Sequence, residues 1–192
     1  MMIDYYHVSR GPVPMGAALE SRYFKHGDDA MVLRIVQDAA SMGPETLRLL
    51  LLAEALIDLK TGSPSSDLLA AAYLEVVYEE IRAAEFPQRP SRLDCVFLLD
   101  AEEGAEQFRR ASRNGRGAIL ICDVEAGEPF RADMNQIRPP DVHSPDVGRD
   151  RMLEAARAYW GGELASDARP EVLISGRVVV LRQLAQPLGT RH

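Results

Sequence analysis

Residues 93–125 read LDCVFLLDAEEGAEQFRRASRNGRGAILICDVE. Two short and almost unbroken apolar runs, CVFLL at 95–99 and AILIC at 118–122, enclose a polar segment in which Ala105 and Phe108 fall on one helical face. Runs of that length, bounded by Asp and Gly, are the pattern of strands buried on both faces. Asp100 is expected to cap the helix and Gly115 to stop it. This strand, helix and second strand, summed with the five or six strands and four or five helices expected along the whole chain, make the class α+β.

Working outward, DYYHVSR (4–10) has the aromatic and β-branched content of a strand, and GPVPMG (11–16) the Pro and Gly of a turn. A loop runs to about residue 27. The segment from 28 to 86 is helical in three pieces: AMVLRIVQDAA with Met31, Ile35 and Val36 on one face, ETLRLLLLAEALIDLK up to Gly62, and LLAAAYLEVVYEEIRAAEF with a stripe of Leu69, Tyr73, Val76, Val77 and Glu80. Prolines at 87 and 90 end it. After β-like residues 129–138 and a Pro- and Asp-rich loop, RDRMLEAARAYWGG (149–162) predicts a helix. PEVLISGRVVVLRQL (170–184) reads as a bent strand or a tight hairpin around Ser175 and Gly176. The expectation is one domain over residues 1–192, with 28–86 inserted in it as a helical cap.

The chain has 192 residues, 46% apolar and 27% charged, the proportions of a water-soluble globular protein. With 22 basic and 29 acidic residues its net charge of −7 argues against a broad nucleic-acid footprint, which needs a basic surface. Cys95 and Cys122 both sit in apolar runs, so they read as buried residues rather than as a metal pair or a disulfide. There is no Walker sequence, no GxGxxG after a strand and no HExxH. The amino terminus lacks a signal-peptide pattern and no apolar stretch approaches the length of a membrane span, so a cytoplasmic protein with no membrane partner is expected.

Three features come in a telling order: a histidine in the first strand (YYHVS), an aromatic in a middle strand that runs into a helix (CVFLLDAEEGAEQF), and a glutamate opening a late strand pair (PEVLISGRVVVLRQL). That order resembles the His-Tyr-Glu branch of the ADP-ribosyltransferase superfamily. The rifampin ADP-ribosyltransferases look similar at the first two motifs, and the whole chain resembles a bacterial family whose function is unknown. The resemblance implies a split β-sheet core with the helical segment inserted, NAD as substrate, no metal, and transfer of ADP-ribose to an acceptor, a protein being expected.

Carried over residue by residue, the resemblance makes His7 the group that hydrogen-bonds the ribose of NAD, with Val8 and Ser9 in place of the usual Gly-Thr beside the nicotinamide amide. Phe97 replaces the usual Tyr and stacks on the nicotinamide, and Glu171 is the catalytic glutamate. Tyr5, on the face of His7, is expected in the same pocket, and Arg92 at an NAD phosphate. Arg169-Pro170-Glu171 lacks the acidic or Gln partner that the family places two residues before the glutamate to modify arginine, so an acceptor other than arginine is implied. Val8 and Phe97 also fit a second function, a catalytically inactive module of the same fold that binds NAD, ADP-ribose or a protein. The Leu-rich helical segment is expected to shape acceptor choice, cover the cleft or form a homodimer.

The chemistry itself calls for such residues. Cleaving the nicotinamide glycosidic bond builds positive charge on the ribose, which a nearby carboxylate stabilises, and an aromatic face holds the planar leaving group. Each residue also has a plain reading: His7 as a strand histidine with one hydrogen bond, Phe97 as a core aromatic, Glu171 as an edge charge. Tyr159 and Trp160 read as packed core, Asp133 as a support to the site or a turn residue, and His26, His143 and His192 carry no role.

Overall fold

The computed structural model describes residues 4–20, 27–43, 46, 48–51, 66–138 and 145–184. The strands are β1 (Tyr5–Ser9), β2 (Ala18–Leu19), β3 (Val96–Leu98), β4 (Ala118–Val124), β5 (Phe130–Asp133), β6 (Pro170–Ile174) and β7 (Val178–Gln183). The helices are α1 (Gly27–Met42), α2 (Ser66–Glu85), α3 (Glu102–Arg113) and α4 (Pro145–Gly161). The helix expected at 45–62 lies largely outside the described residues, although 46 and 48–51 are helical.

Two small antiparallel sheets result, one in the order β1-β4-β7-β2 and one in the order β3-β6-β5. They meet at their edges, where Tyr6 and Leu99 exchange two main-chain hydrogen bonds of 2.8 Å. Between the sheets lies an apolar layer that includes Tyr5, Leu98, Leu120, Val172 and Val180. Helix α3 covers the other face of the first sheet through Val8, Ala105 and Ile119. The other face of the second sheet, with Phe130, Ala132 and Leu173, packs on α1, α2 and α4. Strand β4 is buried over residues 118–122 because both its faces are covered, which is why its sequence is a continuous apolar run rather than an alternating one.

Several expectations need correction. PEVLISGRVVVLRQL forms no hairpin: β6 and β7 belong to different sheets, and the chain changes sheet at Ser175–Arg177. The β4–β5 connection changes sheet at the same place, and the two crossings hold each other through hydrogen bonds between Ala126 and Arg177 in both directions. Gly176 is needed there, since a Cβ on it would stand 2.1 Å from the carbonyl oxygen of Ala126.

Asp100 does not cap α3: the cap position is Ala101, which makes no side-chain cap, and Asp100 instead pairs with Arg131 at 3.2 Å. Met31 is exposed, the buried face of α1 being Val32, Val36 and Ala39. The α2 stripe is also displaced, since Glu80 is exposed and Glu75 buried. The helical segment is packed into the core. Its Val36, Leu51, Val77 and Tyr78 share one apolar cluster with Phe130, Trp160 and Leu173.

Candidate active site

The edge-to-edge junction of the sheets opens a cleft of about 100 Å³ lined by His7, Val8, Phe97, Leu98, Leu99, Phe108, Arg113, Met134 and Glu171. His7, Phe97 and Glu171, drawn from β1, β3 and β6, are thus brought together. The register explains part of it: Phe97 pairs with Leu173 and Leu98 with Val172, so Phe97, Leu173 and Glu171 share the face of the second sheet that looks at the helices. A second hollow of about 280 Å³ shares Leu99 and Met134 with the first and continues past Asp100, Gln107 and Arg169.

His7 Nδ1 lies 2.9 Å from the main-chain oxygen of Phe97. A carbonyl only accepts, so Nδ1 carries the proton and Nε2 is left as an acceptor. Burial lowers the imidazole pKa below its ordinary value and the charge of Arg113 adds to this, while the bond to Phe97 opposes it. His7 is therefore neutral at pH 7 and fitted to accept a hydrogen bond from a hydroxyl.

Glu171 is 7% exposed. Its Oε1 accepts from Arg92 Nη1 at 2.8 Å and from Tyr159 Oη at 2.7 Å. Arg92 Nη1 also donates to Tyr159 Oη at 2.6 Å, and the other edge of the guanidinium meets Glu75, Nε to Oε2 at 3.0 Å and Nη2 to Oε1 at 3.3 Å. Burial raises the Tyr159 hydroxyl well above the ordinary tyrosine range, against the pull of Arg92, so it remains a proton donor. Burial works against the charge of Arg92, and Glu75, Tyr159 and Glu171 outweigh it. Glu171 Oε2 has no hydrogen-bond partner among the described residues and is not sealed from solvent.

Of the remaining expected site residues, all but Val8 lie elsewhere. Arg92 is 4% exposed behind Glu171, absent from the cleft lining and committed to two carboxylates, so it is not placed to hold a phosphate. Tyr5 is buried between the sheets. Ser9 turns its hydroxyl to the carbonyl of Gly11. Val8 does line the cleft. Asp133 accepts from the amides of Asn135 and Arg169, both at 2.9 Å, and is a turn residue. Trp160 is packed core, as expected. His26, His143 and His192 fall outside the described residues. Arg113, Met134 and Glu75 were not foreseen; for Arg113 the available signal was its place one turn beyond Arg109 and Arg110 at the carboxyl end of α3, beside the inward Phe108.

Among the described residues no helix is long and apolar enough to cross a membrane. A search of curated proteins finds no match to the chain. A family model described as "Protein of unknown function (DUF2441)" matches residues 55–186, a span that holds Glu75, Arg92, Phe97, Tyr159 and Glu171. As that span is more than half of the 192 residues, the chain belongs to the DUF2441 family.

Proposed function

We propose that the protein binds NAD in this cleft and cleaves its nicotinamide glycosidic bond, transferring ADP-ribose to an acceptor on an ADP-ribosyltransferase-like fold. The observation that carries the reading is the convergence of His7, Phe97 and Glu171, far apart in sequence, on one cleft. The adjoining hollow gives an extended ligand room to continue beyond Leu99 and Met134.

In this reading Phe97, Phe108 and Leu99 face the nicotinamide with apolar surface and exclude water. His7 Nε2 accepts from a ribose hydroxyl. Glu171 Oε2 accepts from the hydroxyl of the nicotinamide ribose and stabilises the positive charge that grows on its anomeric carbon. The carbon–nitrogen bond breaks with its electron pair going to the pyridinium nitrogen, so nicotinamide leaves neutral. An acceptor oxygen or nitrogen then bonds to the anomeric carbon and loses its proton to solvent.

Nicotinamide release from NAD by the wild type and by Glu171→Gln tests this. A fall of a hundredfold or more, about 2.7 kcal/mol of transition-state stabilisation, is the expected result. A wild type that neither binds NAD nor releases nicotinamide sinks the reading. Val8, which places an isopropyl group in the cleft, favours a second reading in which NAD or ADP-ribose is bound without chemistry. Calorimetric binding with no release, on any acceptor, would select it.

A further inference from the structure

Four elements meet behind the cleft: α2 brings Glu75, a 3₁₀ turn at Arg92–Asp94 brings Arg92, α4 brings Tyr159 and β6 brings Glu171. Burying two carboxylates and a guanidinium together is a poor route to stability, because desolvation cancels most of the attraction and apolar side chains of similar volume often do as well. Their geometry is directional. Glu75 grips the Nε and Nη2 edge of the guanidinium, which sets its plane and turns Nη1 toward the site. The rings of Phe97 and Tyr159 lie 4.9 and 5.1 Å from Arg92 Cζ and close off its swing. Both Nη1 and the Tyr159 hydroxyl then converge on the same oxygen, Oε1, leaving Oε2 as the open one.

We propose that Arg92, seated on Glu75, is a positioning residue that holds Glu171 in one rotamer with Oε1 engaged and Oε2 presented to the ligand. The proposal rests on Glu171 being the catalytic carboxylate, and it gives the helical segment a part in the site: Glu75 reaches Glu171 through one intervening side chain. An unheld glutamate divides its population among several rotamers, and only one of them places an oxygen within reach of the reacting ribose.

Nicotinamide release and crystal structures of wild type, Glu75→Gln and Tyr159→Phe, each also combined with Glu171→Gln, test it. Glu75→Gln keeps the shape of the seat and weakens its grip on Arg92; Tyr159→Phe removes one donor without altering charge. Each is expected to lower kcat about tenfold or more with KM within about threefold, to have no further effect in the Glu171→Gln background, and to spread Glu171 over more than one rotamer. A purely structural role would lower the melting temperature alone, so unchanged kcat with a single Glu171 rotamer overturns the proposal. If Glu75→Gln does not fold, Tyr159→Phe carries the same test. The rotamer is read without substrate, so a wild type that releases no nicotinamide defeats the proposed function separately, and the Glu171 rotamer in the variants still decides the positioning.

Discussion

The Nδ1–H of His7 donates to the carbonyl of Phe97 across 2.9 Å, joining the edge strand of one sheet to the edge strand of the other. Because the two residues stand 90 positions apart, this bond and the neighbouring Tyr6–Leu99 bridge define where the sheets part and the cleft begins. It also fixes the His7 tautomer, with Nδ1 protonated and Nε2 left to accept.

From the lowered pKa of His7 follows a pH dependence of stability. The unfolded imidazole takes up its proton near pH 6.5 and the folded one at lower pH, so between those values the unfolded chain binds more protons. Stability therefore falls as pH drops below about 6.5 and levels off once the folded histidine is also charged. Urea unfolding from pH 7.5 to pH 5 should show that slope, and His7→Asn should flatten it. An identical slope in His7→Asn would place the proton uptake in another group.

Phe97 works on two sides: its ring lines the cleft and carries the Arg92 guanidinium. Phe97→Leu keeps apolar volume but removes the aromatic face, losing a cation–π contact of about 0.5–2 kcal/mol and the stacking surface for a planar ligand. NAD affinity should weaken about tenfold by calorimetry. Phe97→Tyr, which keeps the ring, should bind as tightly as the wild type. Equal affinity in Phe97→Leu would remove the ring from ligand recognition.

Gly176 sits where both connections between the sheets cross. An added methyl meets the Ala126 carbonyl oxygen at 2.1 Å, and the two connections are tied to each other by the Ala126–Arg177 hydrogen bonds. Gly176→Ala should cost at least about 2 kcal/mol in urea unfolding. Gly11→Ala, with nothing within 4 Å of the new methyl, should change stability by no more than about 0.5 kcal/mol. Equal effects at the two sites would mean that the crossing is looser than the contact requires.

Strand β4 and helix α3 were legible because their signals are local: an apolar run with Gly before it, and a helical period ended by Asn114 and Gly115, both with positive φ. Ser175-Gly176 between two β runs looks like a hairpin for the same local reason, and only the distant partners β3, β4 and β5 separate the runs into two sheets. Glu75 was invisible. A glutamate near the stripe of a surface helix reads as the polar edge, and what pulls it inside is Arg92, 17 residues on and beyond two prolines. The same bond explains why Arg92, which the resemblance puts at an NAD phosphate, is buried.

Whether residues 28–86 cap a core that folds without them has a direct test, and the packing points to one answer. Val32, Val36, Leu51, Tyr73, Leu74, Val77, Tyr78 and Ile81 are buried against the cluster that holds Trp160, itself stacked on Phe130 and edge-on to Tyr159. At roughly 1.5 kcal/mol for each buried side chain, their loss would remove about 12 kcal/mol, comparable to the whole stability of a domain. Excision would also leave Arg92 without Glu75. Joining residue 27 to residue 87 through a short Gly-Ser linker should therefore abolish cooperative unfolding, followed by the fluorescence of Trp160, the one tryptophan in the chain, and should expose dye-binding apolar surface. A cooperative transition near that of the full chain would show that the two sheets, α3 and α4 fold alone.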